Sequence, residues 1–321
     1  MTADAMTASP ACPTRGLLLA VVFVWLLASG SALAQQPTFR FNPPEGTTYK
    51  VTENCTYQVD FGWGETLAGQ YASESEVAIE RQAVGYRVTT TLARIPAAQG
   101  ASPNDYVTLS RLKAEAEAGI LVTYELDDGL RLVRLSGDDR IGQRFRQAVR
   151  RDGSLSEGAR RVSQNILTKR GNLIAARDHW ERAYASYLGQ RAEMGSVWVT
   201  TGRAYCMSGE VAEFYTAMKV MGGQQVGGVA CLRVEFQSAQ DPADLRAFLG
   251  PYAEELLEGK TAFAGTAKVS ETGYRLVDPS TMLTYGQEIA EIVGFHFPGP
   301  GMADAPVLFR VKTTYEYDYS E

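Results

Sequence analysis

Apolar and polar residues alternate in repeated stretches along the chain, and this pattern predicts a protein built mainly of strands. Residues 47–61 (TTYKVTENCTYQVDF) are rich in threonine, tyrosine and valine with partial alternation, which suits a half-buried pleated surface. Residues 74–82 and 85–95 follow with a short connection that predicts a hairpin. Residues 96–105 (PAAQGASPND) read as a loop. Residues 121–126 and 130–135 predict a second hairpin around Asp127, Asp128 and Gly129, with Gly129 able to take the positive φ of such turns. Strand patterning returns at 195–205, 213–221 and 226–236, and again at 262–270, 273–277, 282–288 and 306–319.

Between the two strand-rich runs the period changes. Residues 141–149, 159–167 and 173–187 predict short helices, separated by Asp152-Gly153 and Gly171. Asp138 and Asp139 stand at a helix start, where carboxylates cap free amides and oppose the helix dipole. A further amphipathic helix is expected over 242–258, with Pro242 in its first turn and Pro251 as a kink. Two strand-rich runs separated by helices predict an α+β fold, mainly an antiparallel curved sheet or partly closed barrel with helices packed on it.

The first 34 residues interrupt this picture. Arg15, the apolar run at 17–28 (LLLAVVFVWLLA) and Ser31-Ala-Leu-Ala34 have the order of a secretory signal peptide. The run is shorter than the roughly 20 residues of a spanning helix, so the expectation is cleavage after Ala34, no transmembrane anchor in the mature chain, and a periplasmic or secreted protein. The expected mature chain, 35–321, is a single β-rich domain whose β halves, 35–135 and 195–321, are joined by the helical segment 138–188. A faint likeness between the halves (Gly46 to Cys55, Gly195 to Cys206) fits either a duplicated meander or strands of similar composition.

The chain carries a net charge of −6, a poor basis for binding nucleic acid. Residues 131–182 nevertheless hold thirteen basic and six acidic side chains, a basic island in an acidic protein. Cys55, Cys206 and Cys231 remain after the leader, and sequence proximity favours a Cys206–Cys231 disulfide. Strands flanking a third strand would hold these two about 10 Å apart, beyond the roughly 7 Å a disulfide tolerates.

Candidate chemistry is sparse. The acidic stretch at 124–140 lacks the ligand spacing of a calcium loop and reads as turn and helix cap. His179 has Ala175 and Ala183 one turn away, so no second metal ligand shares its face; His296 sits in an aromatic stretch. No G-x-S-x-G elbow, phosphate-binding loop, dinucleotide fingerprint or C-x-x-C motif occurs. The reading is therefore no catalytic residue, no metal and no cofactor, with an enzyme ranking behind two other classes.

Gly46 with Tyr49, Asp127 or Asp128 with Gly129 and Gly137, and Gly195 with Trp198 follow an order and spacing that resembles a set of uncharacterised exported bacterial proteins. The resemblance implies a β-rich exported domain and supplies no catalytic residues. The expected architecture is also similar to periplasmic lipoprotein carriers of the LolA type, where a curved sheet wraps an apolar cavity. The first function expected is a non-catalytic binding or carrier protein for a lipid or other amphipathic ligand. Arg144, Arg150, Arg151, Arg160 and Arg161 would then meet an anionic head group, since guanidinium pairs well with phosphate or carboxylate. The alternative is an envelope structural or protein-interaction module without a small-molecule site.

Overall fold

The computed structural model describes residues 37–60, 66–94, 105–205, 211–240, 267–295 and 307–319. The expected leader, the helix expected over 242–258, His296 and Cys206 lie outside the described residues. Residues from Thr38 onward form one compact unit.

In chain order the elements are β1 (Thr48–Asp60), β2 (Thr66–Arg81), β3 (Tyr86–Arg94), α1 (Asp105–Glu117), β4 (Leu121–Leu126) and β5 (Leu132–Ser136). Then come α2 (Asp138–Arg151), α3 (Glu157–Ser163), α4 (Lys169–Ala183) and a 3-10 turn (Ala185–Tyr187). The chain continues with β6 (Val197–Tyr205), β7 (Val211–Val226), β8 (Val229–Gln240), β9 (Ala267–Val277), β10 (Thr284–Phe295) and β11 (Val307–Tyr319). Among the described residues the eleven strands form one antiparallel sheet in the order β5-β4-β3-β2-β1-β11-β10-β9-β8-β7-β6. The fold is α+β and β-rich, a large curved sheet that is not closed. Each strand pairs with its sequence neighbour except at the middle, where β1 meets β11, and between the two ends, where the helices intervene.

Alternation decides which face is inside. In β1, Tyr49, Cys55, Tyr57 and Val59 are buried while Thr56 and Gln58 are exposed; in β7, Ala212, Phe214, Thr216, Met218 and Val220 are buried and the residues between them exposed. Register carries this inner face across the sheet: Val77, Tyr49 and Tyr319 share a row, as do Met218 and Phe236. Inner-face residues of both arms, including Val88, Leu126, Val220 and Val234, join one core with Trp180 of α4 and Tyr187. α4 therefore packs between the two ends of the sheet, bridging the opening that strand pairing leaves. Residues 38–42 cross the same end. Phe39 accepts from Gly189 and donates to Gln190, and its ring meets Tyr187 edge-on at 5.3 Å.

α2 forms for the reason the sequence suggests. Ile141, Phe145 and Val149 recur every four residues, are buried, and pack with Leu109, Leu112 and Ala116 of α1 in a second core. Its cap differs from expectation: Gly137 occupies the N-cap with φ 94 and no side-chain cap bond. A Cβ at Gly137 would run into the Leu121 carbonyl, and Asp138 and Asp139 sit in the first turn, where they oppose the helix dipole. In the β4–β5 turn the left-handed residue is Leu130, φ 60, rather than Gly129. Asp127 Oδ1 accepts from the Arg131 amide at 2.9 Å, which holds the turn in this form. β9 runs unbroken from Ala267 through 273–277, joining the strand expected there to the described part of the one expected at 262–270. α1 starts at Asp105, the last residue of the loop expected over 96–105, whose other residues lie outside the described residues; the sequence pattern does not predict this helix.

Candidate functional site

The inner face divides into a hollow part and a filled part. Over β1 to β4 the sheet stands away from α1, α2 and α4 and leaves a cavity of about 640 Å³. Its sheet wall carries Glu53, Tyr57, Tyr71, Ser73, Thr90, Leu92, Val122 and Tyr124; its helical wall carries Ala114, Glu117, Ile141, Ala175, Ala176 and His179. A cavity of this size, with apolar walls and a few convergent polar groups, is of the kind that holds a small molecule.

Two features position the polar wall. Glu53 sits in a row of inner-face residues, opposite Ser73 on β2 and Tyr315 on β11. Tyr71 Oη donates to its Oε1 and Ser73 Oγ to its Oε2, each at 3.2 Å. On the helix side, Ala175 and His179 are one turn apart, so both project into the hollow. Both are surface-accessible although α4 is packed inside the fold, which means their exposure is toward the cavity. Desolvation of the His179 imidazole within the fold disfavours its charged form, with Arg275 and Arg182 adding repulsion, and its pKa falls to about 3. Burial likewise pushes the Tyr124 hydroxyl up to about 12.

The filled part faces β6 to β10. Arg182 of α4 binds Glu271 of β9 at 2.5 Å and approaches Asp178 at 3.4 Å. Ser238 Oγ donates to Glu271 at 3.2 Å, and the Arg203 amide donates to Asp178 at 2.9 Å. Glu271 also faces Glu291 across the strand pair; burial, then the Glu271 charge, raises the Glu291 pKa. Burial likewise raises that of Asp178, against the pull of Arg182. Arg275 donates to the Ala183 carbonyl at 2.8 Å, closing the C-terminal end of α4, while its buried Nε has no hydrogen-bond partner. The network fixes α4 against the sheet.

The five arginines expected around a ligand do not line the cavity. Arg144 is exposed on α2 and donates to the Ala118 carbonyl at 3.0 Å. Arg160 donates to the carbonyls of Val149, Asp152 and Leu155, tying the end of α2 to α3. Arg150, Arg151 and Arg161 are exposed. They are kept apart from the hollow by the helical core, because α2 turns Ile141, Phe145 and Val149 inward and its arginines outward. The residues that do line the cavity carried no sequence motif; the alternation of β1 was the one available signal for Glu53 and Tyr57.

Of the expected Cys206–Cys231 pair, Cys206 lies outside the described residues; Cys231 is buried, and burial pushes its pKa up to about 11. It stands opposite Gln224 near one end of β7.

No family model and no curated protein matches the chain, so the resemblance to exported bacterial proteins finds no family to confirm it. Among solved structures, one of lipid–protein interactions in lipovitellin is 8% identical, covers 87% of this chain and has a TM-score of 0.43. The chain spans 25% of that lipovitellin chain. The binding domain of botulinum neurotoxin DC in complex with rat synaptotagmin II is 7% identical over 86% of this chain and 83% of that one, with a TM-score of 0.15. Among the described residues no helix is long and apolar enough to cross a membrane.

Proposed function

We propose that this is a non-catalytic binding or carrier protein for an apolar or amphipathic ligand, with the ligand held between the β1–β4 wall and α1, α2 and α4. The observation that carries this reading is the cavity of about 640 Å³. A sheet arm that needed only to be stable would bring its helices down onto it, because unfilled space forfeits dispersion contacts on both walls. On the other arm α4 is tied to the sheet, with Arg182 bound to Glu271 and Arg275 to the Ala183 carbonyl. Export to the periplasm or beyond, implied by the leader, is part of the same reading and places the protein where such a ligand needs a soluble escort.

The test is native mass spectrometry of protein taken from its own envelope, with solvent extraction, alongside titration of an apolar fluorophore. Ala175→Trp fills the hollow from a position already facing it. The expected result is a co-purifying apolar compound and fluorophore binding that Ala175→Trp abolishes. Equal binding by both proteins, with no extracted compound, overturns the reading. One observation favours the alternative of an interaction module: Val197 and Val199 on edge strand β6 are 62% and 63% exposed, an apolar edge of the kind that accepts another strand.

A further inference from the structure

Resting on that cavity, we infer that its ligand is an amphiphile with a cationic, ammonium-type head, received by Glu53 and Asp138. The charges along the wall decide this. The lining includes two basic side chains, Arg111 and Lys113, and both are already engaged. Arg111 binds Glu115 at 2.6 Å and Asp152 at 3.1 Å, and Lys113 reaches Glu117 at 3.7 Å. Neither Glu53 nor Asp138 has a basic partner among the described residues. Glu53 is held by two hydroxyls, and Asp138, 7% exposed, meets only the Asn172 amide at 3.5 Å.

His179, the remaining ionisable group on the α4 wall, stays neutral near pH 7, so the lining carries uncompensated negative charge. A carboxylate or phosphate entering this hollow would lose its hydration and face two like charges, both unfavourable in a low-dielectric site. An ammonium head reverses both effects. It supplies the missing partner to each carboxylate through charge-assisted hydrogen bonds, and the rings of Tyr57, Tyr71 and Tyr124 on the same wall offer aromatic surface to a cation. The alkyl part is accommodated by Leu92, Ala114, Ile120, Val122 and Leu135. The exposed arginines of α2 lie on the far side of the helical core and do not alter the balance inside.

The experiment uses three probes with the same alkyl chain and different heads: dodecylamine, dodecanol and laurate, titrated below their aggregation concentrations at pH 7. The protein is tested as wild type, Glu53→Gln, Asp138→Asn and the double variant, each checked for an unchanged circular dichroism spectrum. Expected is tighter binding of dodecylamine than of laurate by about tenfold or more, the scale of one charged hydrogen bond, with the preference shrinking in each single variant and vanishing in the double. Dodecanol binding should be unchanged in all four. Equal binding of the three heads, or a preference for laurate, overturns the cationic head and leaves the carrier reading intact. Failure of all three to bind overturns both. A preference for dodecylamine that survives in the well-folded double variant overturns the assignment to these carboxylates.

Discussion

Tyr49 and Tyr319 stand directly opposite each other on β1 and β11, with their ring centroids 4.8 Å apart. This pair sits where the two arms of the sheet are joined, and Tyr319 Oη also donates to the Thr284 carbonyl at 2.6 Å. Tyr319→Ala removes both ring packing and hydrogen bond, and should lower unfolding free energy by about 3 kcal/mol. Tyr319→Phe keeps the ring and should cost only about 1 kcal/mol. Urea denaturation of the two variants separates the contributions.

Removing Arg182 leaves the partly buried carboxylates of Asp178 and Glu271 without their shared cation. Arg182→Met should therefore destabilise by about 3 kcal/mol, the scale found for breaking one side of a buried pair. Adding Glu271→Leu should recover part of that loss, because one stranded charge is gone. Chemical denaturation of single and double variants reads the coupling directly.

The pKa of Glu291 is raised in the folded protein, so its folding contribution is full below the unfolded carboxyl value and is lost as pH rises through the folded one. Glu291→Gln needs no ionisation and should melt at a higher temperature than wild type at pH 8, with the gap narrowing toward pH 4.

His179 titrates in the opposite sense. With its folded pKa near 3 and an unfolded value near 6.5, stability from the neutral ring is full above about pH 6.5 and declines as pH falls toward 3. NMR titration should show imidazole shifts that stay constant down to about pH 4. In His179→Gln the acid side of the melting profile should be flatter.

Gly137 combines φ 94 with a close approach to the Leu121 carbonyl. Gly137→Ala should cost about 2–3 kcal/mol, since a side chain strains the backbone there and needs β4 to shift. Gly153 lies in open space, so Gly153→Ala should change the melting point little. Paired thermal melts check the contrast.

What the sequence determined by itself was direction. Alternation in β1 and β7 states which side chains turn inward, and the spacing of Ile141, Phe145 and Val149 states which face of α2 is buried, because both periods arise from local backbone geometry. Where that geometry is mixed, the sequence misleads. RLKAEAEA in α1 alternates apolar and charged residues with period two, yet folds as a helix because Leu112 and Ala116, four apart, meet α2. Tertiary structure alone decided which segments become partners. β1 pairs with β11 across almost the whole described chain, and Arg182 finds Glu271 eighty-nine residues away. The cavity is likewise a tertiary product. No stretch of sequence encodes an empty volume; it appears where α1, α2 and α4 meet the β1–β4 wall, with α4 anchored by Arg182 and Arg275 on the other arm, and the carboxylates facing it come from β1 and α2.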